Sequence, residues 1–213
     1  DNLNFQQRQK VFAYKVPRFG EIWWCFPKGN ATECNHAVIY NIRENTWYDT
    51  ALPDQGRTDG IYAKVTNKPF MTGVEQTIDG FDMWEHEVGV NRVRLSNTQP
   101  IPAHFETHEC SLIGEDQGAE DKALGVSIVE SDFVQIGDMT LTVRGRANAR
   151  STIYDSDPIP ITEVAANADE QVLRMKENRR LLSFRFDTNV IDGDYQMGEV
   201  IGHVQKTDGR ITQ

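Results

Sequence analysis

Three groups of side chains in this 213-residue sequence are of types that do chemistry. His104, His108 and Cys110 carry the donor atoms of a zinc site. A zinc site needs its ligands at one point, and this segment alternates like a strand. On a strand the three share a face, but the outer two stand about 20 Å apart, so no metal is expected there. Glu85-His86-Glu87 sets an imidazole between two carboxylates, the makings of a general base. On a strand both carboxylates face away from the histidine, so a dyad would need a partner from elsewhere. Asp187, Asp192 and Asp194 around Gly193 offer oxygen ligands for calcium, but their spacing matches no EF-hand loop, and they read as a solvated turn. The sequence has no Gly-rich phosphate loop, nucleophile elbow or paired zinc knuckle. It is read as a non-enzyme, with no catalytic residue, cofactor or metal expected.

One basic concentration remains, formed by Arg144, Arg146, Arg150, Arg174, Lys176, Arg179, Arg180 and Arg185. On neighbouring strands it would form a stripe that meets the acidic loop of Glu115, Asp116, Glu120 and Asp121, or the acidic face of another subunit. The expected subunit interface is therefore Arg144, Arg146, Arg174, Arg179, Arg180 and Arg185 with those four acids. The whole chain carries 22 Lys and Arg against 32 Asp and Glu, a net charge of −10. Such a surface repels a phosphate backbone. General DNA binding is not expected, whereas a channel wall past which DNA slides without sticking is compatible with the charge. Cys25, Cys34 and Cys110 are an odd set and are read as free thiols. No run of 18 apolar residues is present, so no membrane span is expected.

The elements that position these residues are short strands. Val11 to Val16 alternates until Pro17 and Gly20 interrupt it. Glu21-Ile22-Trp23-Trp24-Cys25-Phe26, His36-Ala37-Val38-Ile39-Tyr40-Asn41 and Asn45-Thr46-Trp47-Tyr48 then read as an antiparallel meander, separated by polar turns. Strands are also expected at Gly60 to Val65, Lys68 to Thr72 and Phe81 to Glu87. Trp23 and Trp24 must point to opposite faces, so both faces of this sheet are expected to be covered. Trp23, Trp24, Trp47 and Trp84 are all read as core. The change of character at Pro100-Ile101-Pro102 reads as a stiff crossing into a second domain. Beyond it, strands are expected at Ala103 to Ile113, Ala123 to Val129, Asp138 to Arg146, Ser156 to Ile161, Gln171 to Met175, Leu181 to Asp187 and Met197 to Gln205, with a helical turn at 164–169. The fold class is all-β: blade-like antiparallel meanders of a partial β-propeller over 1–99, the C-terminal part of a longer domain, then a β-sandwich over 100–213.

The pattern E-I-W-W-x-F-P, a polar insert, then A-V-I-Y-N-I-R-E-N-T-W-Y resembles the repeated blade segment of tail proteins from short-tailed bacteriophages, the tail nozzle and packaged-DNA stabilisation group. A second likeness to the C-terminal segment of those proteins runs through Gly137 to Arg146, Asp157 to Ile161, Arg174 to Phe186, Tyr195 to Ile201 and Asp208-Gly209-Arg210. The chain departs from that pattern at Glu177-Asn178-Arg179-Arg180, where a Gly-Arg turn is usual. The resemblance implies a structural subunit of a homohexameric ring around the DNA exit channel. It also implies contact with other tail or portal-adaptor proteins, passage of DNA without specific binding, assembly in the bacterial cytoplasm and residence in the virion. The competing expectation is a carbohydrate-binding or depolymerising tail protein, which would need exposed Trp or Tyr beside paired carboxylates.

Overall fold

The computed structural model describes residues 3–77, 80–111, 123–148, 150–163 and 171–207. Antiparallel sheets are its main element, and the chain divides into two compact units, Asp1–Gly89 and Val90–Gln213. Among the described residues no helix is long and apolar enough to cross a membrane.

The first unit opens with a short 3-10 segment, Phe5–Lys10, and a four-stranded meander: β1 (Phe12–Val16), β2 (Glu21–Phe26), β3 (His36–Asn41) and β4 (Thr46–Ala51), paired in chain order. A three-stranded sheet follows: β5 (Arg57–Ala63), β6 (Lys68–Thr77) and β7 (Gly80–Glu85). Period-two alternation puts Tyr14, Trp23 and Ile39 in one row on the inner face of the first sheet. They join Val16, Cys25, Ala37 and Leu52, with Met71 of the second sheet, in one apolar cluster. The two sheets are stitched where Cys34 and Arg57 exchange backbone hydrogen bonds of 3.2 and 2.8 Å. Gly56 makes that approach possible. Its φ is +96°, and a Cβ there would lie 2.6 Å from the Cys34 carbonyl oxygen.

The second unit begins with the hairpin β8 (Asn91–Arg94) and β9 (Asn97–Pro100). One sheet then orders β10 (Ala103–Glu106), β16 (Leu181–Thr188), β12 (Met139–Arg146) and β13 (Tyr154–Asp155), with β14 (Ile159–Ile161) also on β12. A second sheet orders β15 (Val172–Arg179), β11 (Ala123–Ile136) and β17 (Asp194–Thr207). Leu124, Val126, Val129 and Phe133 of β11 pack into one cluster with Leu141, Val143, Leu182, Phe184 and Phe186 of the other sheet. Phe133 meets Phe186 edge-on at 5.0 Å between centroids. Burying each such side chain contributes about 1.5–3 kcal/mol. β17 bulges at Gly198 and Glu199 opposite Asp132, and on the other side of β11, where the ladder with β15 ends at Glu130 and Val172, the Gln171 side chain continues the pairing. It accepts from Phe133 N at 2.9 Å and donates to Phe133 O at 2.6 Å.

Several elements differ from the sequence expectations. β11 runs on to Ile136 instead of ending at Val129, because its register with β17 holds past the bulge. β15 passes straight through Glu177-Asn178-Arg179, and the chain turns only at Arg180, so the unusual turn sequence is strand. The Ala103 to Ile113 strand is realised as β10 and an isolated bridge at Cys110 to Leu182. The 164–169 segment lies outside the described residues. Of the four tryptophans, Trp23 is 3% exposed, but Trp47 is 63% exposed, because β4 is an edge strand that turns Trp47 to the outer face.

Candidate functional site

The groups closest to an active constellation converge on the inner side of the first unit, around His86. β7 ends at Glu85, whose carboxylate pairs with Lys68 on the outer face, so alternation sends His86 inward. Its backbone N–H donates to Pro69 O at 2.9 Å, and its ring stands edge-on to Trp23 at 6.2 Å. Nε2 accepts from Arg57 Nε at 3.3 Å, an arrangement that assigns the ring proton to Nδ1.

Arg57 is 1% exposed and entirely enclosed by such contacts. Nη1 donates to Pro53 O at 2.7 Å and Gly56 O at 2.9 Å, and the guanidinium lies 4.4 Å over the Trp84 ring. Trp84 reaches it by crossing Gly73, where a Cβ would sit 3.0 Å from the indole Nε1. On the far side of Trp23, its Nε1 donates to Glu21 Oε2 at 3.0 Å, and the Tyr48 hydroxyl donates to Oε1. Glu87 follows in the left-handed region, with φ +60°. Partial burial and then Glu21 hold its carboxyl above the usual range. Burial pushes the Tyr14 and Tyr48 hydroxyls up, and the Tyr48 bond to Glu21 adds to this.

What this cluster can do chemically follows from the state of His86. Burial, then the neighbouring Arg57 cation, lower it to about 4. At neutral pH the ring is uncharged, its lone pair is committed to Arg57, and so weak a base takes few protons from a substrate. The arrangement is that of a polar core joint between two sheets. Arg57 was not singled out in the sequence; its only signal is its place after the Pro53-Asp54-Gln55-Gly56 turn.

The outer face of the first sheet is aromatic. Tyr40 lies directly across from Trp47 and stacks on it at 4.6 Å, and Trp24 stacks on Trp47 at 5.7 Å. Ile22 and Val38 continue the patch, half-buried. The second sheet is similar on its own outer face, where Ile61 is 67% and Met83 69% exposed. Each sheet of the first unit thus buries one apolar face against the other and leaves its second apolar face open.

In the second unit most of the expected arginine cluster is paired within the chain. Arg144 bonds Glu106 at 2.8 Å and Asp155 at 3.0 Å, and Arg146 pairs with Glu109. Arg179 meets Glu177 at 3.0 Å, and Arg185 forks onto Asp187. Arg180 is half-buried beside them, whereas Arg174 is exposed on β15. Glu115, Asp116, Glu120 and Asp121 lie outside the described residues.

The remaining candidates are dispersed. His104 is exposed on β10, and Cys110 bridges Leu182. Asp187 serves Arg185, Asp192 N donates to Asn91 Oδ1 at 2.9 Å, and the Asp194 carboxylate accepts from Tyr195 N. Among the described residues no three His, Cys, Asp or Glu side chains gather as metal ligands. No known protein-family profile matches the chain, and no curated protein sequence matches it.

Proposed function

We propose that the protein is a non-enzymatic structural subunit of a phage tail, one member of a ring around the DNA exit channel. The observation that carries this reading is the pair of open apolar faces on the first unit, Trp24, Tyr40 and Trp47 on one sheet and Ile61 and Met83 on the other. A sheet with apolar residues on both faces is built to lie between neighbours, as blades do in a propeller. The two sheets of the second unit share one core, which supports reading that unit as a β-sandwich. The sequence likeness to tail nozzle proteins, the net charge of −10 and a His86 already committed to Arg57 agree with a scaffold. In the ring, DNA passes an acidic wall without specific binding, and other tail or portal-adaptor proteins cover the ends.

Electron microscopy and sedimentation of the purified protein test this. Closed rings with a central opening are expected, and a discrete monomer at every concentration overturns the reading.

The stacked Trp24, Tyr40 and Trp47 favour one second reading, a carbohydrate-binding tail protein. Depolymerisation fits less well. Glu21 serves the inner-face Trp23, so it and its neighbour Glu87 are separated from the outer aromatic platform by the sheet itself. Glycan-array binding that is lost in Trp47→Ala would favour this second reading over the first.

A further inference from the structure

We infer that copies of this chain join through the sheet of β15, β11 and β17, with the β17 edge of one copy pairing to the β15 edge of the next. The inference deepens the ring reading and rests on it for the closure of the assembly, though not for the contact itself.

β17 and β15 are the terminal strands of their sheet, and among the described residues each pairs on one side only, with β11. An unpaired edge offers a row of N–H and C=O groups to any extended chain, and proteins commonly blunt such edges with proline, brevity or charge. β14 carries Pro160, and β10 has 4 residues. β17 has no proline and 14 residues, with Ile201 46% and Val204 50% exposed.

Charge selects the occupant. Val172, Glu130 and Ile201 form one row across the sheet, and Arg174, Ile128 and His203 form another, on the face away from the apolar cluster. On this face the β15 edge presents Arg174 and Lys176, both exposed. The β17 edge presents Glu199, and Asp132 leans over it from β11: a Cβ on Gly198 would lie 2.6 Å from Asp132 Oδ2. None of these four charges has an ion-pair partner among the described residues, unlike Arg144, Arg146, Arg179 and Arg185. Two cations on one edge strand, and on the other side Glu199 of the edge strand with Asp132 of β11 beside it, are complementary head to tail on one face. Pairing β17 with a second β17 would instead crowd the anions.

Direction is consistent with closure. β15 and β17 both run antiparallel to β11 and so parallel to each other. Arg174 is level with His203, four residues along β17 from Glu199, so setting the neighbour's Arg174 beside Glu199 staggers the two parallel edges by about 13 Å; strands tilted to the ring axis by that stagger close on repetition, as they do in a barrel.

The test reverses each edge separately in the whole chain: Glu199→Lys with Asp132→Lys in one variant, Arg174→Glu with Lys176→Glu in another. Sedimentation velocity reads assembly, and far-ultraviolet circular dichroism checks that each variant folds. Either variant alone is expected to lose assembly by tenfold or more in concentration, about what one close charge pair contributes. Mixing the two restores it, because each acidic edge again meets a basic one. Loss with the β17 variant only would make the contact two-fold and overturn the inference. Rings that tolerate both reversals overturn it and leave the ring reading standing. Open, unclosed chains that either reversal blocks keep the strand pairing and overturn the ring. Wild-type protein that never associates overturns both.

Discussion

Arg57 lies over Trp84, its guanidinium carbon 4.4 Å from the ring centroid, in a core position only 1% exposed. A buried cation persists only where its donors are met, and Pro53 O, Gly56 O and His86 Nε2 meet them. Arg57→Met keeps the bulk and strands these three acceptors. The first unit is expected to lose about 2–4 kcal/mol, read as a lower urea midpoint by tryptophan fluorescence. An unchanged midpoint would show that the joint adds nothing to stability.

The same joint makes stability depend on pH. His86 titrates near 4 when folded and about 6.5 when unfolded, so the unfolded chain takes up the proton first. The contribution is full above about 6.5, declines as pH falls, and levels off below about 4, a difference of about 3 kcal/mol. Glu87 acts oppositely, since its folded value is raised and its contribution is lost as pH rises through that value. Arg57 bonds the His86 ring and Trp23 stands edge-on to it. His86→Gln keeps an acceptor for Arg57 and is expected to flatten the decline between pH 6.5 and 4. An equally steep decline in that variant would move the cause to another group.

Cys25 and Cys34 have no exposed area, and burial raises their thiols to about 12 and about 11. Cys110 is exposed. Because the thiolate is the reactive form, iodoacetamide at neutral pH should label Cys110 alone in the folded protein and all three cysteines in urea. Rapid labelling of Cys25 in the native state, seen by peptide mass spectrometry, would contradict the packing of the first unit.

The hairpin between β8 and β9 turns through Leu95 at φ +47° and Ser96 at φ +66°. This is the backbone of a type I′ turn, which favours Asn-Gly, and Leu95 is 82% exposed at its tip. Replacing the pair with Asn-Gly is expected to stabilise the second unit by about 1 kcal/mol. Thermal melts should show a small rise in Tm; a fall would mean that Leu95 packs against something the turn alone does not reveal.

The reading of local pattern carried far. Alternation placed most of the strands, and it separated Trp23 from Trp24 correctly, because neighbouring residues of a strand must face opposite ways. It also sent Glu85 away from His86. The β8–β9 hairpin escaped it, since Asn91–Arg94 is too short and polar to announce a strand. The arginines drew attention as a group, but their types could not reveal that Glu106, Asp155 and Glu109 already hold Arg144 and Arg146.

From the residues alone one can derive an all-β chain, the face to which each side chain turns, and an acidic surface. Periodicity and charge are local properties and survive any arrangement of the sheets. Which face becomes interior is different, because a strand's two sides are equivalent until another sheet covers one of them. Packing of β5–β7 against β1–β4 made Trp23 core, left Trp47 in solvent, and enclosed Arg57, a residue whose type favours the surface. In the second unit, strand order put Arg174 and Lys176 at one sheet edge and Glu199 at the other, a separation that arises from pairing between segments distant in the chain.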